Sequence, residues 1–462
     1  MKRKAKIYYV AMDDFWRKEE KLAWLRDNPI RKIAFESITP DEKHNWINQT
    51  DNDWNELVPL IDKDVKMRRR EPDTIFEQFS LGVVTARDEW VYDHNIEALV
   101  SKVQFLIECY NKDRLHFSGK NKEAIRTEIG NRDKRDIKWS RAVINDISNG
   151  KPYDFEPDSL AQSLYRPFVK MSLYFAKELN EMQYQLPHLI SHSKPNIFIT
   201  FVTGNRLDLS CLATHLIPNY AIYSLDPAQG TPLYRYDSDG KRQDNITDWA
   251  VEEFARRGAS GLTKEDIFHY VYAVLHYPPY REKYAQNLKR EFPRIPVYEN
   301  AKDWAAMGKQ LMDLHITYET AEPYPLKRSE PGAIATGRLD TSSGKKNPVA
   351  TAGGTDLEPF VAKARTRLIA DKVNGIIEID TYTRLEGVPA IAWEYKLGNR
   401  SALEWVLDQY KERKPKDPTI AEKFNTYKFG DYKEHVIDLL NRVCTVSVKT
   451  MEIVRSMTIA PF

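Results

Sequence analysis

Pro278 and Pro279 divide the most constraining stretch of this chain, which runs from Thr263 to Pro296. Neither ring can donate to a helical ladder, so a helix that reaches them must stop. Ahead of the pair, Thr263 and Asp266 make a capping-box-like start, and Ile267, Tyr270, Val271, Val274 and Leu275 recur at helical spacing. This predicts a helix with one apolar face set against a core. After the pair, Tyr280, Tyr284 and Leu288 restart the period, predicting a second helix that Pro293 and Pro296 close. The second helix carries Arg281, Lys283, Lys289 and Arg290, with Arg294 just beyond it, beside only two acids, Glu282 and Glu291. A basic face on a rigid element suits a phosphate backbone, which makes Arg281, Lys283, Arg290 and Arg294 candidate contacts. The alternative is a plain solvated face.

Any such surface must come from local segregation of charge, because 69 basic and 67 acidic residues leave a formal net charge of only +2. A chain of 462 residues, 42% hydrophobic, has enough apolar content for two or three cores. Cys109, Cys211 and Cys444 lie far apart in no paired motif, which supports neither a disulfide scaffold nor a thiolate zinc site. The basic start MKRKAKIYYVAM has too short an apolar part for a signal peptide. No stretch approaches the roughly 20 apolar residues of a membrane span. A cytoplasmic location without membrane contact is the expectation.

Taken in order, residues 6–10 read as a strand, 15–27 as an amphipathic helix and 31–38 as another strand, an opening that looks like the tail of an α/β sheet. Residues 66–93 join a basic cluster, Lys66 and Arg68 to Arg70, to a glycine-containing turn and a strand. Residues 95–180 are mostly helical in period, with Ile96, Leu99, Val103, Leu106 and Ile107 as one stripe. From 196 to 213 the pattern turns to strands around a polar loop at Gly204, Asn205 and Arg206. Arginine pairs with guanine and asparagine with adenine, so Asn205 and Arg206 are candidate base readers; an ordinary hairpin turn is the alternative. A helix is expected over 302–316, and residues 321–358, rich in Pro, Gly, Ser and Thr, read as a long loop or linker. A hairpin of 374–385 and 388–398 should follow, then a helix opened by the capping box of Ser401 and Glu404. Asn399, Arg400 and Ser401 stand at that helix's N-terminus, where free amides favour an anion.

Several catalytic patterns fail. The only Pro-Pro-Tyr, His276-Tyr277-Pro278-Pro279-Tyr280, has Tyr277 where an amino-methyltransferase needs a polar group, and no glycine-rich cofactor loop precedes it. Gly337 to Lys345 has the wrong spacing for a phosphate loop, and His188 and His192 lack the glutamate of a zinc-protease motif. The main rival is nuclease chemistry. Asp380, then Glu394-Tyr395-Lys396 on a following strand, imitates an arrangement in which two carboxylates hold Mg²⁺ and a lysine positions water. A non-catalytic interaction scaffold is a further class.

The chain resembles the C-terminal part of type ISP restriction-modification enzymes, single-chain bacterial proteins with nuclease, helicase, adenine methyltransferase and target-recognition parts. The resemblance rests on 136–155, on Tyr165-Arg166-Pro167-Phe168, on the 263–296 stretch, on LGNRSALEWVLDQYKERKPKDPTI (397–420) and on 435–454, in that order along the chain. Residues 6–47 are similar to the last part of the family's methyltransferase domain, and Gly82, Thr85 and Asp88 match an element at the passage from catalytic to recognition domain. The resemblance implies an α/β (α+β) fold: an incomplete α/β methyltransferase tail (1–70), a helical connector (71–190), a central recognition part (191–320), the linker (321–358) and a C-terminal α+β part (359–462), with small β-sheets. It implies sequence-specific recognition of double-stranded DNA, with Arg166 meeting a phosphate or bracing an interface. The chain itself should need no cofactor and should not methylate alone. S-adenosylmethionine, ATP and Mg²⁺ would serve the complete enzyme, whose methyltransferase and helicase-nuclease parts, in the same polypeptide or a separate subunit, are the expected partners.

Overall fold

The computed structural model describes residues 5–12, 16, 18–40, 44–46, 50, 52–62, 73–133, 135–191, 193–204, 206–224, 226–329 and 364–457. Lys66, Arg68 to Arg70, His192, Asn205 and the Gly337 to Lys345 stretch lie outside the described residues. The chain divides into two compact units, Met1–Glu56 and Leu57–Phe462.

In the first unit, strands Ile7–Tyr9 and Glu36–Ile38 pair antiparallel, with Ile7 opposite Ile38, and helix Lys18–Asp27 connects them. The second strand is shorter than its apolar pattern predicts. Pro29, with φ of −61°, leads into a 3₁₀ turn at Ile30–Lys32 that takes up its first residues. The helix buries none of its side chains.

The second unit is helix-rich with small sheets. One four-stranded sheet contains the antiparallel pair Leu160–Arg166 and Val169–Tyr174, flanked by Ile217–Pro218 and Tyr92–Asp93. A second sheet orders Ser80–Leu81, Gln229–Pro232, Phe198–Val202 and Ser210–Thr214. A third orders Lys327–Arg328, Arg384–Glu386, Ile376–Asp380 and Thr366–Asp371. The Ile96–His116 helix presents the expected stripe, with Leu99, Val103, Leu106 and Ile107 all buried. At the C-terminus, helices Ala402–Gln409 and Phe429–Met457 bury Trp405, Val406, Leu440 and Val443 in a core shared with Phe168 and Tyr318.

The Lys264–His276 helix begins with both halves of its capping box formed. Every residue from Ile267 to His276 is buried, so the helix is enclosed on all sides rather than along one face. A neighbouring helix, Ala301–Ile316, lies so close that a Cβ on Gly308 would sit 1.8 Å from the His269 carbonyl oxygen. Past the prolines, the expected single helix is two short ones, Pro278–Lys283 and Ala285–Leu288, and the chain then forms strand Arg294–Ile295 against Val58–Pro59.

Two further expectations are corrected. The Tyr165-Arg166-Pro167-Phe168 stretch is no helix but the turn of a β-hairpin, with Arg166 opposite Val169 and Phe168 at φ +59°. Fully buried, the Phe168 ring packs edge-on against Tyr318 at 5.3 Å, so its packing holds the left-handed backbone in place. At the C-terminal hairpin, the partner of Ile376–Asp380 is Arg384–Glu386, inside the stretch read as one strand. The chain turns at 381–383, where the Asp380 carboxylate accepts from the Tyr382 and Thr383 amides at 2.8 Å. Residues 388–398 contain a 3₁₀ turn, Ala390–Trp393, and only a two-residue strand, Lys396–Leu397.

Candidate nucleic-acid interface

A cavity of about 410 Å³ lies where three stretches distant in sequence meet Met451 and Val454 of the Phe429–Met457 helix. The loop between Phe198–Val202 and Ser210–Thr214 contributes Gly204 and Leu207 to Ser210; the proline corner contributes Pro278, Arg281 and Lys289; the turn before the Ala402–Gln409 helix contributes Glu394 to Lys396 and Gly398. The convergence follows from local structure. Strands Phe198–Val202 and Ser210–Thr214 form a regular hairpin, with Val202 opposite Ser210, so Gly204 and residues 206–209 belong to the loop that joins them. Strands Lys396–Leu397 and Arg400–Ser401 pair around Gly398, whose φ of +66° suits the tight turn.

The floor is closed by neutral polar groups. Tyr395 is buried and its hydroxyl has no partner among the described residues. Burial pushes the Cys211 thiol up to about 11, although Arg281 opposes it, and pushes His276 down to about 3, with Arg281 adding to the effect. His276 Nδ1 lies 2.9 Å from the Tyr272 carbonyl oxygen, and Tyr272 Oη lies 2.5 Å from His315 Nδ1.

Around this cavity the structure gathers several of the sequence candidates. Arg206 is held by Asp226, to which its Nε donates at 2.7 Å. Lys283 is exposed, its ammonium 5.2 Å from the Tyr284 ring centre. Arg281 is half-buried, its Nε donating to the Leu275 carbonyl at 2.7 Å. Asn399 is exposed at the tip of the turn. Arg400 donates to Asp408 at 2.9 Å and lies 4.9 Å from the Trp405 ring centre. Ser401 is buried, and its hydroxyl and amide both donate to the Glu404 carboxylate, at 2.8 and 2.9 Å. That helix N-terminus is therefore already served by a side chain of its own.

Other candidates lie elsewhere. Arg290 and Arg294 line a second cavity of about 410 Å³ with Asp62, Asp73 and Glu291. Arg166 donates to its neighbour's carbonyl at 2.6 Å and to Asn219 at 3.2 Å, and stacks 4.1 Å from the Tyr165 ring. It braces the hairpin turn. Gly82 does not serve a turn: a Cβ there would meet the Asn219 carbonyl atoms at 2.4 Å, so the residue is needed for close passage of two backbones. Asp88 accepts from Tyr165 Oη at 3.0 Å and from the Thr85 hydroxyl.

The nuclease candidates are engaged separately. Asp380 is buried and paired with Lys433 at 2.6 Å; burial raises its pKa, but Lys433 and the two turn amides outweigh that and leave it below the usual range. Glu394 follows the 3₁₀ turn instead of lying on a strand, and pairs with Arg455 at 2.7 Å. Lys396 is exposed at the cavity wall. Among the described residues no three His, Cys, Asp or Glu side chains gather as a metal site.

Sequence reasoning missed Ser210, Cys211 and Tyr395 as parts of this site. Their roles come from tertiary contact, which leaves no local period to read. One signal was available: Pro279 stands four residues after Leu275, so the Leu275 carbonyl had to find a donor other than a helical amide.

This helix-rich α+β architecture is shared with parts of larger solved proteins. Residues 74–439 match the Type ISP C-terminal specificity domain, and the chain belongs to that family. It superposes on the DrdV–DNA complex determined by cryoEM with a TM-score of 0.83 and 44% identity, covering 99% of this chain and 44% of that one. A nuclease-deletion mutant of the Type ISP restriction-modification enzyme LlaGI, in complex with a DNA substrate mimic, gives 0.77 and 26% over 98% of this chain and 33% of that one. The ATP-dependent Type ISP enzyme LlaBIII bound to DNA shares the fold, at 0.70 and 24%, over 91% and 25%. The chain thus spans less than half the length of each of these proteins. No curated protein matches it. Among the described residues no helix is long and apolar enough to cross a membrane.

Proposed function

We infer that this chain recognises a specific sequence in double-stranded DNA as the specificity part of a type ISP restriction-modification enzyme. The observation that carries the reading is the likeness, over 99% of the chain, to DrdV as solved in complex with DNA. In this reading Lys283, Arg290, Arg294 and Asn399 set register on phosphates. The loop of Gly204 to Arg206 reads base edges, with Asp226 holding the Arg206 guanidinium in a fixed orientation. The cation of Arg400, already paired with Asp408, supports the turn that presents Asn399.

Methylation and cleavage belong to other parts of the full-length enzyme, and with them S-adenosylmethionine, ATP and Mg²⁺. The first unit supports a protein partner of that kind, because it exposes Tyr8, Leu22, Leu25, Ile30 and Trp46, each more than half accessible. The domain limits proposed are a methyltransferase-like tail over 1–70 and recognition elements beyond it.

The test is selection from a randomised duplex pool by the purified chain at two salt concentrations, followed by sequencing of the retained fraction. Enrichment of one short site, weakening steeply with salt, is expected. Retention of every sequence equally would remove the claim of specificity.

A further inference from the structure

Pro279 lacks the amide that would have bonded to the Leu275 carbonyl in a continuing helix. Arg281 supplies the replacement, its Nε donating to that oxygen at 2.7 Å. The Val274 carbonyl, deprived in the same way by Pro278, takes the Tyr277 amide at 3.1 Å. The proline corner therefore leaves the Leu275 carbonyl without its helical donor, and Arg281, two residues past Pro279, turns back to serve it.

The same guanidinium reaches a second element. One Nη lies 3.6 Å from the Cys211 sulfur, on the return strand of the hairpin, and His276 Nδ1 approaches that sulfur from the helix end at 3.4 Å. Cys211 is fully buried and directly follows Ser210, where the hairpin's loop rejoins the sheet. Its thiol stays protonated at neutral pH, so the contact is a cation donating to a neutral sulfur, and the guanidinium is turned toward the protein interior.

We propose that Arg281 is a positioning residue, which clamps the end of the Lys264–His276 helix to the return strand and so fixes the loop carrying Arg206, instead of contacting a phosphate. The inference rests on the reading that this loop reads bases. An arginine with two protein acceptors at a corner made by two prolines has little freedom to follow a phosphate. Loss of the clamp frees the loop without removing a cation from the DNA surface.

The two roles give different measurements. Binding of the chain to its selected duplex, and to a duplex with one altered base pair, is measured over a range of salt for Arg281→Met, Arg281→Lys and Cys211→Ala. A positioning role predicts that Arg281→Met leaves the salt slope unchanged while the matched-to-altered affinity ratio, roughly tenfold or more for one base pair, collapses toward one. Arg281→Lys, which can still donate to Leu275, retains part of the ratio. Cys211→Ala keeps the corner cap and still lowers the ratio, and it carries the test if Arg281→Met fails to fold. A phosphate role predicts that both duplexes weaken alike in Arg281→Met, with the slope reduced by about one, and that result overturns the inference. If the wild-type chain discriminates and only Arg206→Ala abolishes discrimination, the clamp is wrong and the reading loop stands. A wild-type chain that does not discriminate overturns both.

Discussion

The Gly398 amide donates to the Ser210 hydroxyl at 2.8 Å, across 188 residues of sequence, and ties the turn before the Ala402–Gln409 helix to the end of the candidate reading loop. Ser210 passes the connection on, its hydroxyl donating to the Asp208 carbonyl at 3.2 Å. Two stretches with no shared local pattern thus present Asn399 and Arg206 from one braced frame.

Gly398 is doubly constrained. Its φ is +66°, and a Cβ there would stand 3.0 Å from the Tyr223 carbonyl oxygen. Gly398→Ala is expected to cost about 1–2 kcal/mol in urea denaturation, from left-handed strain and the tight contact together. Discrimination between matched and altered duplexes should fall with it. Ser210→Ala keeps the backbone and removes the tie, so it should lower discrimination with a smaller stability loss.

Ser401 tests whether its helix N-terminus is an anion site. Its hydroxyl both accepts from the Glu404 amide and donates to the Glu404 carboxylate. Ser401→Ala is expected to cost about 1 kcal/mol of stability. The salt slope of DNA binding should not change, because the cap is closed by Glu404; a slope lowered by about one would place a phosphate there.

Both capping boxes could be read from the sequence because capping chemistry is local: a hydroxyl, then an acid three residues on, decides where a helix starts. Lys264–His276 and Ala402–Gln409 begin where Thr263 and Ser401 say they do. The 160–174 hairpin was not legible in that way. Its apolar residues satisfy a helical period as well as a strand period, and its turn uses Phe168, a residue that seldom adopts positive φ and does so here because its ring is buried. The polar loop at Gly204 to Arg206 was visible as a loop between strands, but its neighbours were not: Gly398, Arg281 and Tyr395 arrive from remote stretches. Short basic and apolar patterns located the parts, and tertiary packing alone decided which of them meet.

Gly308 sets how closely two core helices approach. With an added Cβ only 1.8 Å from the His269 carbonyl oxygen and 3.2 Å from the Ala273 nitrogen, backbone and not a flexible side chain would have to move. Gly308→Ala is expected to destabilise by about 3 kcal/mol or more, at the upper end for overpacked sites. Thermal unfolding would register this as a large loss, while Gly430→Ala, with open space around it, should change little.

The buried histidines give a pH dependence with a fixed sign. Burial, helped by Arg281, holds His276 at about 3 against an ordinary 6.5, and burial holds His315 well below its usual value, with His276 adding to the effect. His315 fits a neutral ring, with Tyr272 Oη at one nitrogen and Thr450 Oγ1 at the other, 2.8 Å away; Tyr395 stacks on its face. Folded, these rings stay neutral where the unfolded chain would protonate them. Their contribution is thus complete above pH 6.5 and is lost as pH falls below it, at about 1.4 kcal/mol per pH unit for each ring. Unfolding free energies between pH 7.5 and 5 should decline accordingly, and His315→Gln should show a shallower decline than wild type. Equal slopes in the two proteins would mean that His315 is protonated in the folded state.

Asp380 and Glu394 separate nuclease chemistry from structural pairing. Asp380 accepts from Lys433 and from two backbone amides in a buried turn, whereas Glu394 and Arg455 are an exposed pair, 47% and 56% accessible in their side chains. Asp380→Asn leaves Lys433 without its counter-charge, and should cost about 2 kcal/mol or more. Glu394→Ala should cost less than about 1 kcal/mol, as for other exposed pairs. Neither substitution should abolish a Mg²⁺-dependent cleavage, because each carboxylate is committed to a different cation and the two lie on different elements. The measurement is denaturation of each variant beside an assay of duplex cleavage with Mg²⁺. Cleavage by the wild-type chain that disappears in a stably folded Glu394→Ala would assign the acid to catalysis; equal behaviour of wild type and variant leaves Glu394 as a surface pairing at the cavity wall, where Lys396 stands exposed beside it.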